Sequence, residues 1–327
     1  MNPARKAAAT AKVRADTGPL YASRAEVMQT ADDIAERRNL DRDWVRNAIG
    51  QSRYLAGIAK AVTPPPVGVP KNWALYRSRF IDPVRIRAGV RFWQANAELL
   101  QRAQVETGVP ASIIVGIIGV ETIYGQQTGN YRVMDALSTL AFDFPAAHPR
   151  ARERSAFFLS ELEQYLTLTA RTSTNPWHRR SWMKYAIDFD GDGRVDLFNS
   201  TADVIGSVAN YFKAFGWQRD MPTHYAVQFD APTLDMPALM APDILPTFTP
   251  AGFVSKGALL DARALQHPGP LALVELQNGD SPPQYVAGTE NFYVITRYNW
   301  SSYYAMSVIE LGNEVAAAYQ MQTGVQK

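Results

Sequence analysis

Cysteine is absent from all 327 residues. That excludes disulfides, thiol catalysis, cysteine-held metals and a lipid-modified cysteine in this sequence, and it fits the cytoplasm and the periplasm equally. Charge of one sign is also lacking. Thirty-three Lys and Arg against 31 Asp and Glu leave a formal +2, too weak a field to draw the molecule to nucleic acid. There is no zinc-finger spacing, no long basic tract and no internal repeat. No apolar run is long enough to span a bilayer. Met1 to Arg24 carries Arg5, Lys6, Lys12 and Arg14 among alanines. It lacks the apolar centre of a secretion signal, so residues 1–20 are expected to form a disordered, mildly basic leader. What is present is ordinary for a globular protein: 46% hydrophobic and 20% charged residues, in a chain long enough for two or three domains.

Within this background Glu121 stands out. It closes the stretch Ile113-Ile114-Val115-Gly116-Ile117-Ile118-Gly119-Val120, which has no charge and no strong hydrogen-bonding side chain. At helical spacing Ile114, Ile117, Ile118 and Glu121 share one face. A carboxyl held against such a face resists ionisation, and one that keeps its proton near neutrality can donate it to a leaving group. The structural alternative is a Glu paired with a basic side chain or capping a backbone group.

The pattern along the chain is mainly helical. Tyr21 to about Lys60 reads as helix, with Ala25-Glu26-Val27-Met28 and Asp41-Arg42-Asp43-Trp44-Val45 opening amphipathic stretches. Val62 to Pro70 breaks helix and runs as extended linker. Arg85 to Glu106 reads as one long helix. Pro110 suits the first turn of the next helix, and Gly125 its end. Further helices are expected over Ala156 to Thr169, Val204 to Phe215 and Tyr303 to Tyr319. Pro222 to Pro250 reads as irregular. Leu271 to Leu276 and Gln284 to Val286 flank Asn278-Gly279-Asp280, a hairpin signal, and Phe292 to Ile295 is expected to add a third strand.

Asp188-Phe189-Asp190-Gly191-Asp192-Gly193-Arg194-Val195-Asp196 matches the first half of an EF-hand loop. Oxygens at its first, third and fifth positions can converge on one hard cation, Gly193 allows the turn, and Arg194 can offer its carbonyl. The alternative is a solvated Asp-Gly turn. Position twelve is Asn199 rather than a bidentate Glu. Asp203 can close the site, but Ser200-Thr201-Ala202-Asp203 also reads as a capping box. One irregular hand without a methionine groove points to a structural calcium ion rather than a sensor.

Several long motifs in order resemble one family. Val115 to Thr122 with Tyr124-Gly125, Arg132 to Phe142, the loop and helix Asp188 to Trp217 with Ile205 to Lys213, Asn291 to Asn299, and Tyr304-Ala305-Met306 are similar to the membrane-bound lytic transglycosylase B family. The resemblance runs from Tyr21 to about Ala318. It implies a mainly α protein: a lysozyme-like helical core, a helical accessory domain and a small antiparallel β domain. The domains expected are a helical one over 21–90, a core of 91–220 and 291–327 carrying the EF-hand-like loop, and a β-containing domain over 221–290. It also implies cleavage of the bond between N-acetylmuramic acid and N-acetylglucosamine in peptidoglycan, without water, leaving a 1,6-anhydro product. Glu121 would be the single acid and then base, and Tyr211, Tyr298, Asn299 and Tyr304 would line the cleft. The metal set would be Asp188, Asp190, Asp192, Arg194 and Asp203. A periplasmic, membrane-associated monomer is implied, acting on glycan strands, with the outer membrane or the wall-synthesis machinery as associates and no nucleic-acid partner.

One stretch departs from the family. Its Gly-Ala-Met-Gly segment running into Gln-Phe-Met-Pro-Ser-Ser, part of the cleft wall, is missing here. In the run Thr174 to Tyr185, Ser181-Trp182 and Lys184-Tyr185 align with the family, and Trp177, His178, Arg179 and Arg180 occupy the gap before them. This keeps a second reading open, a peptidoglycan-binding or scaffold protein that has lost efficient cleavage. Lysozyme-type hydrolysis is the nearest chemical competitor, and it would need a second carboxyl, for which Asp135 and Asp143 are the nearby candidates.

Overall fold

The computed structural model describes residues 17–63, 70–127, 131–171, 176, 185–197 and 199–324. Most of the leader and most of Thr174 to Tyr185, including Trp177, His178, Arg179 and Arg180, therefore lie outside the described residues. The chain divides into two compact units, Met1–Val67 with Thr128–Met183, and Gly68–Gln127 with Lys184–Lys327.

The first unit is helical. Ala25–Arg38, Arg42–Gly50 and Ala56–Val62 come from its first segment, Val133–Phe142 and Ala151–Arg171 from its second. Asp41 caps the second helix by accepting from the Trp44 amide, and Asn39 ends the first in the left-handed region, where Asn is tolerated. Val27, Ile34, Val45, Ile49, Met134, Leu162 and Leu166 form one buried cluster. Thr17–Leu20, the end of the expected leader, is not loose: it pairs antiparallel with Arg53–Leu55. Asp135 and Asp143 are both committed here. Asp135 is 5% exposed and is bonded to Arg132 and to the Arg53 amide. Asp143 accepts from Arg24 and from the Tyr21 hydroxyl.

The second unit contains the Glu121 helix, Ala111–Thr122. The long helix expected over Arg85 to Glu106 is two, Pro83–Ala95 and Ala97–Thr107. Asn96 breaks it with φ −129°, its side-chain amide donating back to the Phe92 carbonyl, a local bond that competes with helix propagation. Asp82 caps the first of these from Pro83, accepting from the Val84 and Arg85 amides. Residues 97–107 and 111–122 meet at 116°. Pro110 is the N-cap of the Glu121 helix, and the Gln104 side chain accepts from the Ala111 amide at the bend. No single helix among the described residues is long and apolar enough to cross a membrane.

The four-stranded antiparallel sheet has the order Ala258–Leu260, His224–Phe229, Ser281–Gly288, Ala272–Asn278. The expected hairpin is its last pair, turning at Gly279, whose φ is +62°. The third strand is not Phe292 to Ile295, which lies in the helix Glu290–Thr296, but His224–Phe229, within the region read as irregular. Thr289 caps that helix, and Phe292, Val294 and Ile295 are buried in the helical core, so a short apolar run that suits either element follows its cap.

Ser302–Thr323 packs along the Glu121 helix. The two backbones come close enough that a Cβ at Gly116 would run into the Val308 carbonyl, and one at Gly312 into the Ser112 carbonyl. Backbone cannot yield as a flexible side chain can, so overpacking is costly at both positions. Gly312→Ala is expected to lower unfolding stability by about 1–3 kcal/mol, read as a lower urea midpoint. An unchanged midpoint would mean the helices separate without cost.

Candidate active site

Ala111–Thr122 is buried at Ala111 and at every residue from Ile113 through Val120, so the apolar surroundings of Glu121 are not one stripe but nearly the whole helix. The chain leaves the helix immediately afterwards. Ile123 and Tyr124 both take positive φ, 48° and 55°, before Gly125 at 83°. Left-handed backbone is unusual for any side chain and more so for a β-branched one. Gly125, expected to stop the helix, follows the actual stop by two residues. The Tyr124 hydroxyl occupies the space that Cβ atoms at Gly89 and Gly119 would need, and its ring packs on Phe92 at 5.3 Å. Small residues on two helices thus accept the side chain that the turn delivers.

Glu121 is solvent-accessible, yet enough protein surrounds it that burial raises its carboxyl above the usual range. Both statements hold for a side chain in a recess, open on one side. Among the described residues no cation pairs with it. Its partners are phenols. The Tyr304 hydroxyl donates to Oε1 at 2.6 Å, and the Tyr304 and Tyr298 hydrogen bonds partly oppose the effect of burial. Burial first, then the charge of Glu121, pushes both phenols well above their ordinary value, so they are donors and not bases here.

The four residues expected to line the cleft come together unequally. Tyr304, 3% exposed, lies on the helix capped by Ser301. Tyr298 is half-buried and stacks on Tyr304 at 5.6 Å and 11°. Tyr211, on Thr201–Ala214, is buried and meets Tyr298 edge-on at 5.7 Å. Asn299 is exposed beside Tyr298. Two further aromatics join them. Tyr185 meets Tyr211 at 5.2 Å, and Asn210 donates to its carbonyl. Tyr76, on Trp73–Arg77, feels the charge of Glu121. An Arg77–Glu310 ion pair joins its helix to the C-terminal one. Neither was singled out from the sequence, although Trp73, Tyr76 and Phe80 fall at helical spacing and Tyr185 lies five residues after Arg180.

In the acidic loop, Asp188, Asp190 and Asp203 bring carboxylate oxygens within 4.8 Å of one another. Asp192 is outside this group, and one of its oxygens accepts from the Arg194 amide. Asp203, 1% exposed, accepts from the amides of Phe189 and Asp196 at 2.7 Å each. Ser200 caps the following helix by accepting from the Asp203 amide, so the cap and the loop clasp coexist. For Asp188, burial works to raise the carboxyl, but amide donors at Gly193, Gly191 and Asp192 prevail and lower it. Gly206 has no room for a Cβ because Phe189 packs there, and Arg102 covers the same ring at 4.0 Å. These contacts seat the loop on the core.

The geometry predicts that Glu121 titrates above the ordinary glutamate range. It also predicts that Tyr304→Phe raises it further, because the lost hydrogen bond favours the charged form. Carbon-13 NMR of the glutamate carboxyls against pH measures both. A Glu121 that titrates normally, or falls in the variant, contradicts this account.

Residues 23–181 and 178–313 match the family described as Transglycosylase SLT domain. Membrane-bound lytic murein transglycosylase B of Escherichia coli (strain K12) is 34% identical over 91% of this chain and 84% of its own length. The Escherichia coli lytic transglycosylase SLT35 in complex with calcium superimposes with a TM-score of 0.75 at 32% identity, covering 93% of this chain and 96% of that one. Catenated lytic transglycosylase SltB1 from Pseudomonas aeruginosa gives 0.75 at 35%, covering 91% and 99%. The mainly α fold with small antiparallel sheets is thus the lysozyme-like fold of these enzymes, and the chain belongs to the transglycosylase SLT-domain family.

Proposed function

We propose that the chain is a peptidoglycan lytic transglycosylase that cleaves the β-1,4 bond between N-acetylmuramic acid and N-acetylglucosamine, with Glu121 as its single acid and base. The observation that carries this is the accessible carboxyl of Glu121, raised by burial and held by tyrosine hydroxyls without a cation. Protonated, it donates to the glycosidic oxygen as the bond to the anomeric carbon breaks. The resulting carboxylate then takes the proton of the muramic acid 6-hydroxyl, whose oxygen closes on the same carbon. The proton given to the leaving sugar is replaced by the one taken from the 6-hydroxyl, so Glu121 ends as it began and no water is consumed. One carboxyl suffices, whereas hydrolysis normally uses a pair. Asp135 and Asp143, the candidates for a second, are held in ion pairs. Tyr298 and Tyr304 orient Glu121, while Tyr211, Tyr185 and Asn299 form a wall suited to sugar rings and their polar groups.

Asp188, Asp190 and Asp203 fit a structural calcium ion: three hard oxygen donors converge there, and among the described residues no cationic side chain is paired with them. The ion would neutralise the cluster and brace the loop against Thr201–Ala214, the helix that carries Tyr211. A cell-envelope location, where peptidoglycan lies, follows from the substrate.

Digestion of purified sacculi should release 1,6-anhydromuropeptides, and Glu121→Gln should reduce their yield by about a thousandfold or more, as loss of the acid and the base together requires. Mass spectrometry decides: products with free reducing ends would mean hydrolysis, and binding without products would mean a scaffold. Millimolar calcium should raise the melting temperature, and Asp190→Asn should blunt the rise. An unchanged melting temperature argues against a structural ion.

A further inference from the structure

Arg297 is the residue immediately before Tyr298 in the chain. It is exposed, and among the described residues it makes no ion pair. Its guanidinium instead lies among three aromatic rings, 5.7 Å from Phe215, 5.8 Å from Tyr293 and 6.0 Å from Trp300. One N–H reaches the Tyr293 hydroxyl at 3.3 Å, and among the described residues most of its five donors have no other partner. Trp300 is 52% exposed and meets Tyr293 edge-on at 5.8 Å.

This arrangement is continuous with the site. Phe215 lies 4.5 Å from Tyr211, Tyr211 touches Tyr298, and Tyr298 bonds Glu121. The positive charge of Arg297 is also felt at Tyr211. An arginine held by ring faces, with its fork open to solvent, suits a planar carboxylate that carries apolar groups. Peptidoglycan presents such groups on the peptide stems of its muramic acid residues.

We infer that Arg297, backed by Trp300 and Tyr293, is a specificity-determining subsite that takes a carboxylate of the peptide stem. This rests on the transglycosylase reading above. Arg297 also follows the last residue of the helix Glu290–Thr296 and covers Phe215, so a purely structural role is the competing account. The lactyl carboxylate, freed when the stem is removed, is a second source of the same chemistry.

The test compares Arg297→Ala, Arg297→Lys and the unchanged protein on intact sacculi and on sacculi stripped of stems by an amidase. Arg297→Ala should lower kcat/KM on intact sacculi about tenfold more than on stripped ones, the value of one charge-assisted contact, and Arg297→Lys should recover part of the difference. Equal losses on both substrates would make the residue structural, and a greater loss on stripped glycan would point to the lactyl group. Either outcome overturns the inference, as does no loss at all. Co-sedimentation with the same two sacculi reads the preference without catalysis. Absence of anhydro product from the unchanged protein would therefore sink the transglycosylase reading, while the binding ratio would still decide the role of Arg297.

Discussion

The near-contact of two backbones at Gly116 and Gly312 sets the geometry of the candidate site. Glu121 lies five residues after Gly116 on one helix, and Tyr304 eight residues before Gly312 on the other. A hydrogen bond of 2.6 Å between their side chains needs the two axes at a fixed separation. Glycine at both positions lets carbonyl groups pack where side chains would otherwise stand. The Tyr76 helix is then tied to the C-terminal helix by Arg77 and Glu310. Glu121, Tyr304, Tyr211 and Tyr76 are thus placed by helix packing, which favours a rigid site, while Tyr298 and Asn299 lie in the turn between Glu290–Thr296 and Ser302–Thr323.

The same unit supplies the acidic loop, and Asp203 links it to the site. It is the third residue of the helix that presents Tyr211 eight positions later, and it clasps two amides of the loop. An ion held there would act on the wall through this helix. The first unit spends its carboxylates differently. Asp32, Asp135, Asp143 and Glu163 are all taken up by arginines, as buried or half-buried acids in a structural scaffold are expected to be.

Much of this was legible in the order of residues. The apolar run before Glu121, the Asp-Gly loop and the Asn-Gly hairpin each carry a local physical signature; the first two adjoin helices that the pattern predicts, and the third joins the two strands expected of it. What was not legible depends on packing. Asn96 breaks a helix whose hydrophobic pattern continues through it. Phe292 to Ile295 could be strand or helix until Thr289 caps it. His224–Phe229 lies next to a proline-rich stretch that masks its period. The roles of Gly116 and Gly312 need both helices in view, almost two hundred residues apart, and Tyr76 and Tyr185 reach the site only through tertiary contacts. Asp192 holds the expected ligand position in the loop but turns to the Arg194 amide.

The left-handed pair Ile123 and Tyr124 has one more effect. By stopping the helix where it does, it leaves Glu121 in the last turn, at the negative pole of the aligned peptide dipoles. An anion is disfavoured there by up to about 1 kcal/mol at a surface. Helix termination therefore reinforces desolvation in favouring the neutral acid, and moving the stop by a single turn would weaken that contribution without altering any side chain in the recess.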